Sequence, residues 1–400
     1  MMKRIFNIIL FILICSIKIL GQDASAVSNY YKALNYYQNK NDKSALEQLE
    51  SCNEDIKCIE FTGKIYFKNK DYVKAISIFK SLLEKEPAEA SFYLSLIFAD
   101  MGFADESILW LEKYFEYKNP RFYSRIISNK EFDNIAKTSE WREFWKTERY
   151  PKNYEQFEEA EYKVRSENYT DAINILNNIQ GSSSDYYKNY LTALSYFNLG
   201  NYQEANKFVD ISINEKQKFI DAYKLKYKIS INNKDYNSAY NSVNTLLKID
   251  EYDPVHLLEK AEVLNLSSKF EEAEKYINEY TGYFPDNENA LLLKAHIFIN
   301  NKKNFDALLV LNSLIDKNPS VTEYFLLRAD INYNFKSWDI AKKDYSMALD
   351  INPDQPEAYF KLGMCYYNQG AMKKACYNWN KAAQMKHREA TRMLYDYCGY

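Results

Sequence analysis

The stretch PEAYFKLGMCYYNQGAMKKACYNWNKAAQMKH, residues 356–387, decides the fold of this chain. It has a small residue at Gly363 and another, twelve positions later, at Ala375. Trp379 and Ala382 follow Ala375 by four and seven positions, a spacing that puts the three side chains on one face of a helix. The stretch therefore predicts two helices, joined by a short turn, that approach each other closely where the small residues stand.

The pattern of this stretch returns at a fixed distance along the chain. An alanine recurs every 34 residues, at Ala205, Ala239, Ala273, Ala307, Ala341 and Ala375. Pro285, Pro319 and Pro353 stand twelve positions after their alanines, where a proline ends the helical unit, and Glu251 and His387 replace that proline in two other copies. A period of this length is typical of a solenoid built from one stacked supersecondary unit.

These columns resemble those of the tetratricopeptide repeat. Residues 356–387 carry, in the family's order, Tyr359, Leu362, Gly363, Tyr366, Gly370, Ala375, Trp379 and Ala382. The resemblance implies an all-α fold, an α-solenoid in which helix-turn-helix repeats build a right-handed superhelix. It further implies that the first helix of each repeat lines a concave groove, and that the chain binds a partner rather than catalysing a reaction.

The strength of the pattern divides the chain. Residues 154–387 hold seven clear repeats, and residues 24–118 hold about three weaker ones. Between these two arrays, residues 119–153 keep no 34-residue spacing, and we expect an irregular helical joint there. Its stretch EWREFWKTERY predicts a short amphipathic helix that covers the open face of the first array or, alternatively, recruits a partner. Residues 388–400 are expected to form a capping helix.

Residues 1–21 have the character of a secretory signal peptide. Lys3 and Arg4 precede an apolar run from Ile5 to Ile17, and Gly21 offers a small residue for cleavage. An uncleaved membrane anchor is the alternative, although the run is shorter than the ~20 apolar residues that a spanning helix needs. We therefore expect an exported protein that lies in the periplasm, is associated with the cell envelope, or is extracellular.

In an exported protein the cysteines are candidates for disulfide bonds, because disulfides persist outside the cytosol. Cys52 and Cys58 flank a predicted loop between two helices, so a bond between them is sterically reasonable. The run that contains Cys376 and Cys398 resembles the endings of repeat arrays in exported bacterial proteins, and this resemblance implies a second bond. Cys365 would remain a buried thiol. Zinc is the rival, but no paired short-spaced cysteine motif occurs, and we expect no metal.

Composition and motifs argue against several classes of function. The formal net charge is −3, and no long basic run follows the first residues, so nucleic acid is not an expected partner. The chain has three histidines, and it contains no GxSxG or HExxH motif and no phosphate-binding glycine loop. We therefore expect no enzymatic activity, no catalytic residue and no cofactor.

Residues of the first helices that stay off the buried columns are the candidates for contact with a ligand. One set is an asparagine column at Asn198, Asn232, Asn300, Asn334 and Asn368. Either these asparagines end their helices locally by tolerating left-handed backbone, or they form a polar ladder along an extended peptide. The other candidates are Tyr187, Tyr190, Phe197, Lys224, Lys228, Glu262, His296, Tyr333, Phe360 and Tyr367.

Three functions remain open on the sequence. The first is an exported scaffold that binds a protein or peptide in its groove, with a role in cell-envelope assembly or secretion. The second is a module that binds glycans or peptidoglycan by stacking sugars on the groove aromatics. The third is an enzyme, for which the sequence gives no pair of reactive groups that must converge.

Overall fold

A computed structural model describes residues 25–117, 126, 129–146, 154–179 and 185–399 of the chain. The signal peptide predicted for residues 1–21 lies outside these residues. The chain divides into two compact units, residues 1–256 and 257–400. Among the helices in the described part of the chain, none combines the length and the apolar character that crossing a bilayer requires.

The described residues form helices and no strand, which confirms the predicted all-α solenoid. In the first unit the helices are 25–38, Asp42–Glu50, Ile56–Lys68, Tyr72–Ser81, Pro87–Asp100, Ala104–Tyr117, Ser139–Lys146, Tyr154–Arg165, Tyr169–Asn178, Tyr186–Asn198, Tyr202–Glu215, Ile220–Asn232 and Tyr236–Ile249. The helix Val255–Leu266 begins in the first unit and continues into the second. In the second unit the helices are Phe270–Tyr283, Glu288–Asn300, Asn304–Lys317, Thr322–Asn334, Trp338–Ile351, Pro356–Asn368, Met372–Gln384 and Arg388–Tyr397.

The alanine column marks the place where the two helices of a repeat meet. All six alanines of the 34-residue series have no exposed surface: Ala205, Ala239, Ala273, Ala307, Ala341 and Ala375. The larger residues four positions later are buried too: Val209, Val243, Ile277, Leu311, Tyr345 and Trp379. A methyl group thus fills the closest approach of the helices, and a bulkier side chain fills the space one turn further on, as a close-packed interior requires.

The turn inside a repeat uses a residue in the left-handed conformation. Gly200 and Gly370 have φ of +77° and +75°, and the equivalent Lys234, Lys302 and Lys336 have φ of 57°, 59° and 58°. The asparagine column stands two positions earlier, at the last residue of each first helix. The asparagines themselves are helical, so the expected left-handed backbone belongs to the residue two positions after them.

Ser107 replaces the alanine in the third repeat without leaving a polar atom unpaired. Its Oγ donates a hydrogen bond to the carbonyl of Ser95, at 2.9 Å, and the Oγ of Ser95 donates to the carbonyl of Phe92, at 2.7 Å. Both serines are buried, and a buried hydroxyl is tolerated when it is hydrogen-bonded. The weak sequence pattern of this repeat therefore still gives a close helix pair.

The joint contains the short amphipathic helix that the sequence predicts, Ser139–Lys146. Phe144 is buried and stacks on Phe115, with ring centroids 6.1 Å apart. Trp141 stacks on Phe132 at 5.2 Å. This aromatic face packs into the same core as Leu111 of the third repeat, and so the helix covers the end of that repeat.

The structure pairs four cysteines in the two expected combinations. Cys52 is joined to Cys58 across the loop between two helices, and Cys376 is joined to Cys398 of the terminal helix. Cys365 is buried, and burial raises the pKa of its thiol to about 12, so the thiol is unreactive at neutral pH. The oxidised state of the pairs in the cell stays a prediction.

Candidate functional site

In the second unit, the first helices of three successive repeats present an apolar row. The row consists of Leu292, Leu326 and Phe360, which stand 34 residues apart and are half-buried. Because neighbouring repeats stack in register, equivalent positions of their first helices lie side by side. The repeat geometry therefore places the row along the first helices, and each member also packs partly against the core.

Carboxylates border the apolar row. Glu323 and Glu357 stand three residues before Leu326 and Phe360, and Asp330 stands four residues after Leu326, so each shares a helix face with a member of the row. The side chains of Glu323, Asp330 and Glu357 are 52%, 42% and 61% exposed. The border is thus acidic and open to solvent.

Cross-repeat contacts join this border into a line. The Nε2 atom of His296 lies 3.2 Å from an oxygen of Glu323, and the Nζ atom of Lys361 lies 2.9 Å from an oxygen of Asp330. Lys361 also lies 3.6 Å from Glu357, so one ammonium group serves two carboxylates. The border keeps a net negative charge even when these contacts are counted.

Lys361 and Tyr345 hold Asp330 in place from two helices. Burial alone would lower the pKa of Lys361, but its hydrogen bond to Asp330 and the charges of Asp330 and Glu357 raise that pKa above its usual value. The hydroxyl of Tyr345 donates a hydrogen bond to Asp330 at 2.5 Å, and burial beside this carboxylate raises the pKa of Tyr345. The cation and the hydroxyl are therefore fixed donors at neutral pH.

The acidic border ends at His387, where the terminal helix begins. Its Nε2 lies 2.9 Å from Glu357, and its Nδ1 accepts a hydrogen bond from the backbone N–H of Ala390, which caps the helix. The imidazole ring stacks on Phe360 with centroids 4.6 Å apart. The histidine that replaces the usual closing proline therefore connects the last member of the apolar row to the cap.

Most of the asparagine column serves its own helices. The Nδ2 atoms of Asn198, Asn232 and Asn368 donate to the backbone carbonyl four residues earlier, at 2.8, 2.9 and 2.8 Å. Asn300 instead donates to Asn265 in the preceding repeat, at 2.9 Å, and Asn334 is exposed at the end of its helix. Three of these contacts are local and one crosses to the preceding repeat, but none of the asparagines has the left-handed backbone of the local alternative.

The other aromatic candidates of the second unit pack on neighbouring helices. Tyr333 meets Trp338 edge to face, with centroids 5.3 Å apart, and burial raises the pKa of Tyr333. Tyr367 contacts Trp379 at 5.7 Å and Tyr397 of the terminal helix at 5.1 Å. Both rings are half-buried, so each offers only part of its surface to a ligand.

In the first unit, Tyr187 and Tyr190 belong to an aromatic cluster. The two rings stack at 6.1 Å, and Tyr190 meets Phe219 edge to face at 5.1 Å. The hydroxyl of Tyr187 donates to Glu161 at 2.8 Å, and burial, together with this carboxylate, raises the pKa of Tyr187. Burial raises the pKa of Tyr190 to about 12. Phe197 lies apart from these contacts, against Tyr202 at 5.6 Å.

The N-terminal repeats contact the loop at residues 250–254, which the sequence did not predict. The hydroxyl of Tyr31 donates to the carbonyl of Glu251 at 2.5 Å, and the hydroxyl of Tyr252 donates to Asp55 at 2.7 Å. The rings of Tyr30 and Tyr252 meet edge to face at 5.0 Å. These tyrosines stand off the repeat columns, and their partners are about 200 residues away, so no periodic signal marks them.

Lys224 is fixed by the same loop, whereas Lys228 is exposed. The Nζ of Lys224 lies 3.4 Å from Asp250 and 2.9 Å from Asp253. Asp250, Asp253 and the buried His256 each bring a possible metal-ligand atom within 4.8 Å of the others. The ammonium group of Lys224 pairs with both carboxylates, and the absence of a metal site stays a prediction.

Family models match both ends of the chain. A model described as "TPR repeat" matches residues 336–370, and one described as "Tetratricopeptide repeat" matches residues 62–88 and 357–384. A TPR repeat-containing protein of Methanocaldococcus jannaschii is 24% identical over 154 residues, which are 38% of this chain and 21% of that protein. The chain thus covers about a fifth of that relative's length.

Solved structures of other proteins are similar to parts of this chain at low sequence identity. The C-terminal part of a TPR repeat-containing protein from Cytophaga hutchinsonii has a TM-score of 0.51 and 16% identity, over 59% of this chain and 98% of that chain. MamA from Desulfovibrio magneticus RS-1 has a TM-score of 0.40 and 15% identity, over 42% of this chain and 94% of that chain. At these identities the likeness concerns the fold alone.

Proposed function

We propose that this chain, which belongs to the tetratricopeptide-repeat family, is a scaffold that binds a protein or peptide partner along the first-helix face of its second unit. The observation that carries the proposal is the apolar row of Leu292, Leu326 and Phe360 with its acidic border. Peptides dock through apolar anchors with polar edges. A segment with apolar side chains along the row and lysine or arginine beside them matches this face.

The two parts of the face have different roles in the proposed complex. Burial of apolar side chains on the row supplies most of the affinity, at roughly 25 cal/mol per Å² removed from water. Exposed carboxylates such as Glu323 and Glu357 add little energy each, because water and salt screen them. Their main contribution is to attract a basic segment and to exclude acidic ones.

We also propose that the protein is exported and acts in cell-envelope assembly or secretion. The apolar run that follows Lys3 and Arg4 supports export, and the pairing of the cysteines supports an oxidising compartment. Mass spectrometry of the protein from its own cells tests this point. A mature chain that begins at Gln22 is expected, and a chain that retains residues 1–21 in the cytosol would contradict it.

The function proposed is binding without catalysis, since proteins of this family generally act as scaffolds. The glycan alternative relies on Tyr187, Tyr190 and Phe197 as stacking platforms. Tyr187 and Tyr190 already stack on each other and Tyr190 packs against Phe219, so no specific observation favours sugar binding there.

Site-specific photo-cross-linking tests the partner-binding face. A benzophenone amino acid is placed at Leu326 in the apolar row and, as the control, at Leu309, which is 69% exposed on a second helix. We expect a discrete protein adduct from position 326 that position 309 does not give. The same adducts from both positions, or none from position 326, would overturn the proposal.

Charge variants then test the border with the partner identified by cross-linking. The double variant Glu323→Gln/Glu357→Gln should weaken binding and reduce its dependence on salt. The matched control is Asp316→Asn/Asp350→Asn, which removes the same charge from exposed positions on second helices. Equal effects of the two double variants would show that total charge matters and that the acidic border does not.

A further inference from the structure

A pocket of about 380 Å³ lies in the first unit, between the N-terminal repeats and the loop at residues 250–254. This volume is within the range of small-molecule sites, about 300–1,000 Å³. The edge-to-face pair of Tyr30 and Tyr252 supplies an apolar wall, and the remaining walls are charged. The repeat pattern of the family does not produce this pocket, because it exists only where the two ends of the first unit meet.

The wall on the N-terminal side carries a net positive charge. Lys57 lies 3.0 Å from Glu60, and Lys64 lies 2.5 Å from the other oxygen of the same carboxylate. Glu60 is only 8% exposed, whereas Lys57 and Lys64 are 46% and 37% exposed. Two ammonium groups therefore share one buried carboxylate, and one positive charge remains for the pocket.

The opposite wall carries a net negative charge. Asp250 and Asp253 share the single ammonium group of Lys224, at 3.4 and 2.9 Å. His256 is fully buried and lies 3.1 Å from Asp250, so it is a neutral hydrogen-bond partner of that carboxylate when unprotonated. With His256 unprotonated, one negative charge remains on this side of the pocket.

The pKa values of Lys64 and Asp250, one on each wall, are shifted toward their charged forms. Burial alone would lower the pKa of Lys64, but Tyr93 and Glu60 raise it above its usual value. The hydrogen bond from His256 and the charge of Lys224 outweigh burial and lower the pKa of Asp250. Lys64 and Asp250 therefore bring opposite charges to the two walls at neutral pH.

We propose that this pocket binds a small zwitterion, namely a dipeptide with free termini. The carboxylate of the ligand pairs with Lys57 and Lys64, and its ammonium group pairs with Asp250 and Asp253. A ligand of this kind brings a charge of the right sign to each wall at once, which neither a simple anion nor a simple cation does. The site is separate from the apolar row, so its failure leaves the proposed partner-binding face untouched.

Four ligands on the full chain test the charge pattern by isothermal titration calorimetry. Alanyl-alanine and glycyl-glycine carry both charges, N-acetyl-alanyl-alanine carries only the carboxylate, and alanyl-alaninamide carries only the ammonium group. We expect the two zwitterions to bind and each blocked dipeptide to bind at least roughly tenfold more weakly. Equal binding of the N-acetylated form would show a carboxylate site, and no binding of either zwitterion at about 10 mM would overturn the proposal.

Variants of the two walls locate the binding. Lys57→Gln should weaken alanyl-alanine binding and leave the weak binding of alanyl-alaninamide unchanged. Asp253→Asn should also weaken alanyl-alanine binding, but it should leave the weak binding of N-acetyl-alanyl-alanine unchanged. Asparagine at position 253 keeps the oxygen that accepts the backbone N–H of Val255. The control is Lys68→Gln, on the same helix but over the ring of Tyr37 at 4.2 Å. A loss of binding in the control equal to that in Lys57→Gln would contradict the assignment.

Discussion

The indole ring of Trp379 occupies the space that a side chain at Gly363 would need. A Cβ atom built on Gly363 would lie 2.5 Å from both Cδ1 and Nε1 of Trp379. Trp379 is completely buried, and its indole is rigid, so it cannot move aside. The small column of the repeat is therefore reduced to glycine where the residue sixteen positions later is as large as tryptophan, and Gly63 faces Phe79 in the same way.

Gly363→Ala should destabilise the second unit. Overpacking a close-packed core costs about 1–3 kcal/mol, and we expect a loss in this range in urea unfolding. Gly282→Ala is the matched control, because its added methyl meets no atom within 4 Å and alanine is the better helix former by about 1 kcal/mol. The double variant Gly363→Ala/Trp379→Phe should regain part of the loss. If Gly363→Ala left the free energy of unfolding unchanged, the packing argument would be wrong.

Gly370→Ala should destabilise the chain for a different reason. Gly370 has φ of +75°, and a Cβ atom there would meet nothing within 4 Å, so the whole cost is the left-handed backbone, about 1–2 kcal/mol for an L-residue. Lys336→Gly is the reverse change at the equivalent turn. It relieves that strain but increases the freedom of the unfolded chain, so its net effect in the same urea experiment should be small.

The fold was predictable because equivalent positions of successive repeats pack in the same way, so the same residue types recur there. The alanine series predicts which side chains are buried, and the turn two residues beyond the asparagines follows the same period. The sequence could not assign the left-handed residue, because Lys234, Lys302 and Lys336 are not residues that favour it.

The candidate sites were predictable only in part. His296 lies on the acidic border and Phe360 lies in the apolar row. Both are on first helices, where the sequence placed the ligand candidates. The contacts of Tyr31 and Tyr252 could not be foreseen, because a hydrogen bond over a separation of 220 residues leaves no local pattern. Glu60 and Lys64 were missed for another reason, since a charged pair on a helix ordinarily faces solvent.

Removal of the disulfide that closes the longer loop should cost more stability than removal of the other. The bonds Cys376–Cys398 and Cys52–Cys58 have sequence separations of 22 and 6. On the chain-entropy model, losing them costs about 3 and about 2 kcal/mol, respectively. Urea unfolding of Cys376→Ser/Cys398→Ser and of Cys52→Ser/Cys58→Ser, measured against the oxidised parent, checks the order.

A thiol count on the unfolded protein checks the pairing itself. If both bonds form and the signal peptide is removed, Cys365 is the single free thiol of the mature chain, since Cys15 is lost with residues 1–21. A count of five without reductant would show that neither bond forms.

Acid should weaken the first unit through Glu60. Burial would raise the pKa of this carboxyl, but the charges and hydrogen bonds of Lys64 and Lys57 outweigh burial and lower the pKa below its usual 4.5. A carboxyl with a lowered pKa in the folded state stabilises the fold fully above its unfolded value. That contribution is lost as the pH falls below about 4.5 toward the folded-state pKa.

The comparison of Glu60→Gln with the parent isolates this effect. The difference in unfolding free energy should be large at pH 7, because two lysines lose their shared carboxylate, and should narrow below pH 4.5. Glu143→Gln is the control, since Glu143 is 73% exposed on the joint helix. A difference that stays constant with pH would show that Glu60 acts through packing alone.

Loss of the tyrosine hydroxyls should release the N-terminal repeats from the loop at residues 250–254. Tyr31→Phe removes the hydrogen bond to the carbonyl of Glu251 at a site where Tyr31 is 3% exposed, and Tyr252→Phe removes the hydrogen bond to Asp55. Each hydrogen bond is worth about 1 kcal/mol, so the double variant should open this contact at least several-fold more often than the parent. Hydrogen exchange of the amides in the helix at residues 25–38 measures the opening. Tyr223→Phe, at a half-buried position of the same unit, is the control. If exchange in residues 25–38 is equally slow in the double variant and the control, other contacts hold the repeats on the loop.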